Sequence, residues 1–404
     1  MIHSTPPVPK LQTIDDQSMR QDMPRADFAL RLGKAIQSHQ AVVTYPRRDY
    51  YRFPPRFTRW LSELATLTRV AARRAGLAGN SPDFVTLSNN LNKILARLDD
   101  YSATYDGFAD DESRDLFIEL LAYRILGPWF VRLSIDNPKF WNLYDSVNQK
   151  YRIRKNTARY DLWNFHTYRM PAQVGKIELT CNEISVFRTF LLEQYAVFRP
   201  GIRVRPVPGD IVLDCGACFG DTTLWFADCV GPQGRVVAFE CQSNNRQRAL
   251  ENVGLTPALS ERITIDPRAL WRESQNERVV TNWGSGSSAL DLTDFLHKAG
   301  FKSATEQVAA VSIDDYVREA GLPTVNFIKM AIEGSELPVL EGARSTLLSC
   351  RPKLAVCAFR NDIVDIYRYL DRLDIGYRFA LGHFTNHSEE TVLFATASPA
   401  DNIP

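Results

Sequence analysis

The sequence has no apolar run approaching the roughly 18 residues that a bilayer-crossing helix needs. Its greasiest stretch, Leu116 to Leu133, is broken by Glu119, Arg124 and Arg132. Nor is there an excess of charge of either sign: 48 Lys and Arg against 47 Asp and Glu leave +1. No overall field therefore draws the chain to nucleic acid or to a charged membrane. The seven cysteines are few and odd in number, without the spacing of a disulfide framework. The opening segment, Met1 to Asp22, mixes prolines, acids and amides and lacks the basic-then-apolar order of a secretion signal. These absences argue against a membrane-spanning or disulfide-stapled secreted protein. The expectation is a soluble, cytoplasmic chain with no transmembrane segment.

What is present divides in two. A length of 404 residues suits two compact units, each able to bury its own core. Residues 1–50 are polar and read as largely irregular. From Phe57 the spacing turns helical, with Phe57, Trp60, Leu61, Leu64, Leu67 and Val70 on one face. Ser81 and Pro82 suit the start of a second helix bearing Phe84, Leu87, Leu91, Ile94, Leu95 and Leu98. A third opens at Asp110-Asp111-Glu112, acids that complement a helix amino-terminus, and stops at Gly127-Pro128. No stretch here alternates long enough to predict a strand, so 51–173 is expected to be a mostly α-helical accessory domain.

Over 174–404 the pattern changes. Short β-branched runs at Asp210–Asp214, Arg235–Glu240, Ile263–Ile265, Ala309–Val311, Phe327–Met330 and Lys353–Ala358 are interspersed with helical stretches such as Thr222–Cys229 and Ser243–Val253. That rhythm predicts an α/β fold, a doubly wound, Rossmann-like, mostly parallel sheet covered on both faces.

Ligands of such sheets bind beyond the carboxyl ends of the strands, where strand order reverses. The first strand ends at Asp214 and enters Asp214-Cys215-Gly216-Ala217-Cys218-Phe219-Gly220. Gly216 permits a sharp turn and Gly220 lets the next helix start close to a ligand. Glu240 ends the second strand, where a carboxylate can accept hydrogen bonds from two ribose hydroxyls. The spacing Gly-x-x-x-Gly after an acid differs from the Gly-x-Gly-x-x-Gly that seats a pyrophosphate. An acid at Asp214 suits a ligand bearing an ammonium and a sulfonium, which predicts S-adenosylmethionine. The expected cofactor-binding residues are Asp214, Gly216, Ala217, Gly220, Asp221, Thr222, Glu240 and Ala269.

On these residues the chain resembles the FkbM-type methyltransferases, over roughly Ile177 to Thr396. The resemblance rests on the turn, on Phe239-Glu240, on Ser287-Ser288-Ala289-Leu290 and on Ser312-Ile313-Asp314-Asp315-Tyr316. It continues through Phe327-Ile328-Lys329-Met330-Ala331-Ile332-Glu333-Gly334-Ser335-Glu336, Leu340-Glu341-Gly342-Ala343, Arg351-Pro352-Lys353-Leu354 and Glu390-Thr391-Val392-Leu393-Phe394. It implies a class I methyltransferase fold and O-methylation of a glycan (a polysaccharide or lipopolysaccharide sugar) or related metabolite. The family usually has Asp where this chain has Ala331. Lys329, Glu333 and Glu336 remain as the ionisable groups there.

A sugar hydroxyl is a weak nucleophile, so a general base is expected. Glu333, after the fourth strand, is the first choice, with a helix-capping role as its plainer reading. His383 is the second, with a structural role as its plainer one. Glu333, Glu336 and Asp314 are oxygen ligands that could suit magnesium, but without an Asp at 331 no metal is expected. Cys215 and Cys218 form a single C-x-x-C with no second pair at zinc spacing.

Two stretches join arginines to aromatics. One is 45–60, with Arg47, Arg48, Arg52, Arg56 and Arg59. The other is 150–169, with Lys150, Arg152, Arg154, Lys155, Arg159, Tyr160, Trp163 and Tyr168. They suit an acceptor linked to a nucleotide or lipid diphosphate, or an exposed helix face anchored by aromatics. RNA methylation is the rival reading, against which no Asn/Asp-Pro-Pro-aromatic motif follows the fourth strand; no stable nucleic-acid partner is expected. A non-catalytic scaffold, prompted by Ala331, is the other rival.

Overall fold

The computed structural model describes residues 16–38, 84–127, 130–160, 163–283, 286–290, 303–358, 363–387 and 390–397. Strands β1 (Arg152–Tyr160), β2 (Trp163–Ala172) and β3 (Gly175–Cys181) form an antiparallel sheet, and β4 (Val197–Arg199) pairs with β5 (Ile202–Val204). The main sheet begins with β6 (Ile211–Cys215), β7 (Arg235–Phe239) and β8 (Ile263–Asp266). A side sheet is built by β9 (Ala269–Leu270), β10 (Gln275–Trp283), β11 (Gly286–Ser288) and β12 (Ala304–Val311). The chain then returns to the main sheet through β13 (Phe327–Met330), β14 (Lys353–Ala358), β15 (Arg378–His383) and β16 (Thr391–Thr396).

The main sheet runs β15-β16-β14-β13-β6-β7-β8. Its pairs are parallel except where β16 lies antiparallel between β14 and β15. Strand order reverses between β6 and β13, so the turn after β6 and the loop after β13 leave the sheet side by side. Every residue of β6, β13 and β16 is buried, because layers cover both faces of the sheet. This is the doubly wound α/β class the sequence predicted.

The amino-terminal region departs from expectation in three ways. First, residues 152–172 are two strands rather than part of a helical unit. Arg152, Ile153, Arg154 and Lys155 of β1 are all exposed while residues 165–168 of β2 are all buried, so neither strand shows the alternation by which a strand is read. Tyr168 of the 150–169 stretch is fully buried, its hydroxyl donating to Asn148 Oδ1 at 3.1 Å. Second, the expected boundary at 173/174 falls inside the turn joining β2 to β3, where Ala172 pairs with Gly175. Third, a helix spans Asp16–Gln37 in the segment expected to be irregular, and it buries Phe28 and Leu32. The helical stretch from Phe57, the caps Ser81 and Pro82, and the aromatic-basic stretch 45–60 lie outside the described residues.

Helix Asp111–Leu126 starts where expected. Asp110 Oδ1 accepts from the Ser113 amide at 2.9 Å, and Gly127 ends the helix at φ +83°. This helix covers the β15 edge. Ala109 N–H donates to Phe379 O at 2.8 Å, and Leu381 N–H donates to Ser113 Oγ at 2.9 Å. One continuous core joins Phe28, Tyr105, Phe117 and Leu121 to Phe379, Leu381 and Met330 of the main sheet. On the other face, Phe165 and Tyr168 of β2 pack with Phe187, Phe219 and Phe226.

Candidate functional site

The turn after β6 is held from several sides. The amides of Gly216 and Ala217 both donate to Phe239 O at 3.0 Å. Gly216 sits at φ +89°, and a Cβ there would lie 2.1 Å from Ala331 O. Gly220, at φ +78°, opens helix Asp221–Val230 against Ala249, whose Cα lies 3.2 Å from where a Cβ would stand. Asn252 on helix Ser243–Leu255 donates to Phe219 O at 2.8 Å and accepts from Thr180 N–H at 2.7 Å, tying the turn to β3.

The acids differ in what they face. Glu240, just past β7, accepts from the Cys218 amide at 2.7 Å and the Gln242 amide at 2.9 Å. Burial raises its pKa to about 7, against the lowering effect of those amides, Lys329 and Arg246. A carboxylate offers about four acceptor sites, so each oxygen keeps capacity for a further donor. That fits a ligand presenting two hydroxyls.

Asp214 is fully buried. Its Oδ2 accepts from the hydroxyls of Thr222 at 2.8 Å and Thr223 at 2.7 Å, while Oδ1 lies 3.0 Å from Lys329 Nζ. Its charge is therefore matched inside the protein. Asp214, expected at the cofactor site, is bonded within the turn's helix start and ion-paired to Lys329. Asp221 accepts from Thr189 Oγ1 at 2.6 Å, and burial raises its pKa. Ala269 is buried in β9, paired with Ala310.

Beyond β13, Glu333 holds φ +55°, a backbone state that is uncommon for a residue with a side chain. Glu336 folds back over the same loop, accepting from Ile332 N–H at 2.9 Å and Gly334 N–H at 2.8 Å. Ser335 Oγ meets Ser288 Oγ at 3.2 Å, so two motifs far apart in sequence converge here. Asp314 is directed elsewhere, capping helix Arg344–Cys350 through the amides of Ser345 and Thr346 at 2.8 Å. The three oxygen donors considered for magnesium are thus not one set. Among the described residues no group of three or more His, Cys, Asp or Glu is arranged to hold a metal.

His383 is buried at the end of β15. Its Nδ1 lies 2.9 Å from Thr391 Oγ1 and its Nε2 3.5 Å from Thr385 Oγ1. Burial lowers its pKa to about 4. Beside it, Arg188 forms an ion pair with Glu390, whose second oxygen accepts from Cys357 Sγ at 3.7 Å. Arg188 belongs to a π-helical turn, Phe187–Leu191. No motif marks that turn, and only the fold shows that it reaches this end of the sheet. Such π-helical turns often accompany functional positions.

Residues 214–379 match the family model described as the methyltransferase FkbM domain. Among solved structures, the methyltransferase FkbM from Methylobacillus flagellatus KT is similar at 18% identity and a TM-score of 0.48, over 84% of this chain and 71% of that one. An O-methyltransferase from Bacillus cereus in complex with SAH matches at 15% identity and a TM-score of 0.30, over 54% of this chain and 80% of that one. Aeropyrum pernix fibrillarin with natively bound S-adenosyl-L-methionine matches at 13% and 0.32, over 61% and 86%.

Proposed function

We propose that the chain, whose residues 214–379 match the methyltransferase FkbM domain model, uses S-adenosylmethionine to O-methylate a hydroxyl of a glycan, such as a polysaccharide or lipopolysaccharide sugar, or of a related metabolite. The observation that carries this reading is Glu333. It stands in a left-handed backbone state on the loop after β13, next to the strand that bears the cofactor turn. Such a state persists where surrounding structure imposes it, and it is common at working sites.

When bound, the cofactor would supply a sulfonium-bound methyl group for in-line transfer, the C–S bond breaking as the thioether leaves. Most of the acceleration for such a step comes from alignment. Glu240 would accept the ribose hydroxyls through the acceptor capacity its two amide partners leave. Gly216, Ala217 and Gly220 shape the turn, and Asp214, Asp221 and Thr222 fix it from within. Glu333 would serve as the general base, taking the proton of the acceptor hydroxyl onto a carboxylate oxygen. His383, a weak base with both nitrogens beside threonines, orders Thr391 rather than taking that proton. The exposed Arg152, Arg154 and Lys155 of β1 support an acceptor carried on a nucleotide or lipid diphosphate.

The test supplies methyl-labelled cofactor with nucleotide sugars, polysaccharide and, as control, RNA. The expected outcome is label in an alkali-stable ether on the sugar. Glu333→Gln should lower turnover by about 100-fold and leave the calorimetric affinity for S-adenosylhomocysteine unchanged. Label in RNA alone, or turnover at the parent rate in the Glu333 variant, would sink the reading.

A further inference from the structure

Lys329 is 2% exposed in the middle of the sheet. Taking an ammonium out of water is costly even when it is paired, and an apolar side chain of similar volume often serves stability as well or better. Stability alone is thus a poor reason for a lysine here, and its contacts suggest another. In register Lys329 stands opposite Asp214 on β6, and its Nζ lies 3.0 Å from Asp214 Oδ1. The side chain reaches further along, and Nζ donates to Gly216 O at 2.7 Å. The ring of Tyr195 lies 5.2 Å from the same nitrogen.

The carbonyl of Gly216 and the amide of Ala217 belong to one planar peptide unit. The amide edge of that plane donates to Phe239 O at 3.0 Å, while the carbonyl edge accepts from Lys329. Gly216, at φ +89°, has the freedom to let this plane rotate. Two partners on opposite strands, β7 and β13, hold it from opposite edges. The same lysine ties the turn to the strand that leads into Glu333.

We propose that Lys329 is a positioning residue for the methyl donor: clamped by Asp214, its ammonium fixes the Gly216–Ala217 peptide plane of the cofactor turn. Asp214 keeps the buried ammonium charged and aimed, and Lys329 sets the turn. The role depends on the donor assignment alone, so it stands whichever acceptor is methylated.

The test compares Asp214→Asn with the double variant Asp214→Asn/Lys329→Met, which leaves no unpaired charge in the sheet. Thermal unfolding and calorimetric binding of S-adenosylhomocysteine are measured for both. The double variant is expected to melt within a few degrees of the single one and to bind at least tenfold more weakly. Equal affinity in the two would overturn the proposal, because the lysine would then be only a counter-ion. Should the double variant fail to fold, Asp214→Asn/Lys329→Gln decides by the same two measurements: affinity at least tenfold below that of Asp214→Asn is expected, and equal affinity would overturn the proposal.

Discussion

At the scale of single residues, Glu240 carries a pH dependence whose sign can be worked out. Burial raises its carboxyl from 4.5 to about 7 in the folded chain, so the cofactor-free fold holds a proton more tightly than the unfolded chain. Its contribution to stability is therefore greatest below about 4.5 and declines as pH rises to about 7. Cofactor binding runs the other way if the ionised carboxylate is what accepts the ribose hydroxyls. The dissociation constant of S-adenosylhomocysteine should rise as pH falls below about 7, by up to about tenfold per pH unit. Glu240→Gln should bind weakly and with little pH dependence. A flat pH profile in the parent protein, measured by calorimetry from pH 5.5 to 8, would remove Glu240 from the ribose site. The shape of the glycine turn and the place of Glu240 just past a strand were legible in the sequence, because both depend on local backbone freedom and strand position. The true partner of Asp214 was not, since it is set by the register between β6 and β13, which no local pattern encodes. Lys329 was visible only as an ionisable neighbour of Ala331.

At the scale of elements, legibility followed periodicity. Strands β6, β7, β8, β13 and β14 of the main sheet are short runs with helices between them and could be read as such, whereas β15 and β16, joined without a helix, were not among the runs expected. Strands β1 and β2 were missed because neither alternates: β1 is exposed on consecutive residues 152–155 and β2 buried on consecutive residues 165–168. The start of helix Asp111–Leu126 was readable from its acids, yet its most connected residue, Ser113, carried no signal. Ser113 is fully buried. Its hydroxyl donates to Asp110 Oδ2 at 2.7 Å and accepts from Leu381 N–H at 2.9 Å and from Arg199 Nη1 at 2.8 Å. One side chain thus joins a helix cap to the edge strand. Ser113→Ala leaves the buried Leu381 amide without a partner, while Arg199 Nη1 keeps Asp110 and the Leu381 carbonyl; the change should cost about 1–3 kcal/mol. Urea unfolding should show a lower midpoint with an unchanged slope, and affinity for S-adenosylhomocysteine should stay the same. A midpoint equal to that of the parent would mean that water replaces the hydroxyl at no cost.

At the scale of the whole molecule, the two-part reading of the sequence captured composition but not packing. The expected switch in pattern near residue 174 falls in the turn between two paired strands. In space the helices before it and the sheet after it share one core, in which Phe28, Tyr105, Phe108 and Phe117 lie with Phe379 and Leu381 of β15. Polar links reinforce the join: Arg97 pairs with Asp365 across helices, and Arg199 bonds both Asp110 and Leu381 O. The three-stranded sheet closes the other face, with Phe165 of β2 against Phe219 of the cofactor turn at a ring-centroid distance of 4.9 Å. Removing everything before residue 174 would uncover β15 as an open strand edge, a template for aggregation. It would also expose the aromatic face that the helices cover and strip β3 of its partner β2. We therefore expect residues 174–404, expressed alone, to lack a cooperative thermal transition and to show no calorimetric binding of S-adenosylhomocysteine. A sharp melt with near-parental affinity would show that the shared core is dispensable. The amino-terminal region would then have to be understood as a separate unit resting on a self-sufficient methyltransferase domain.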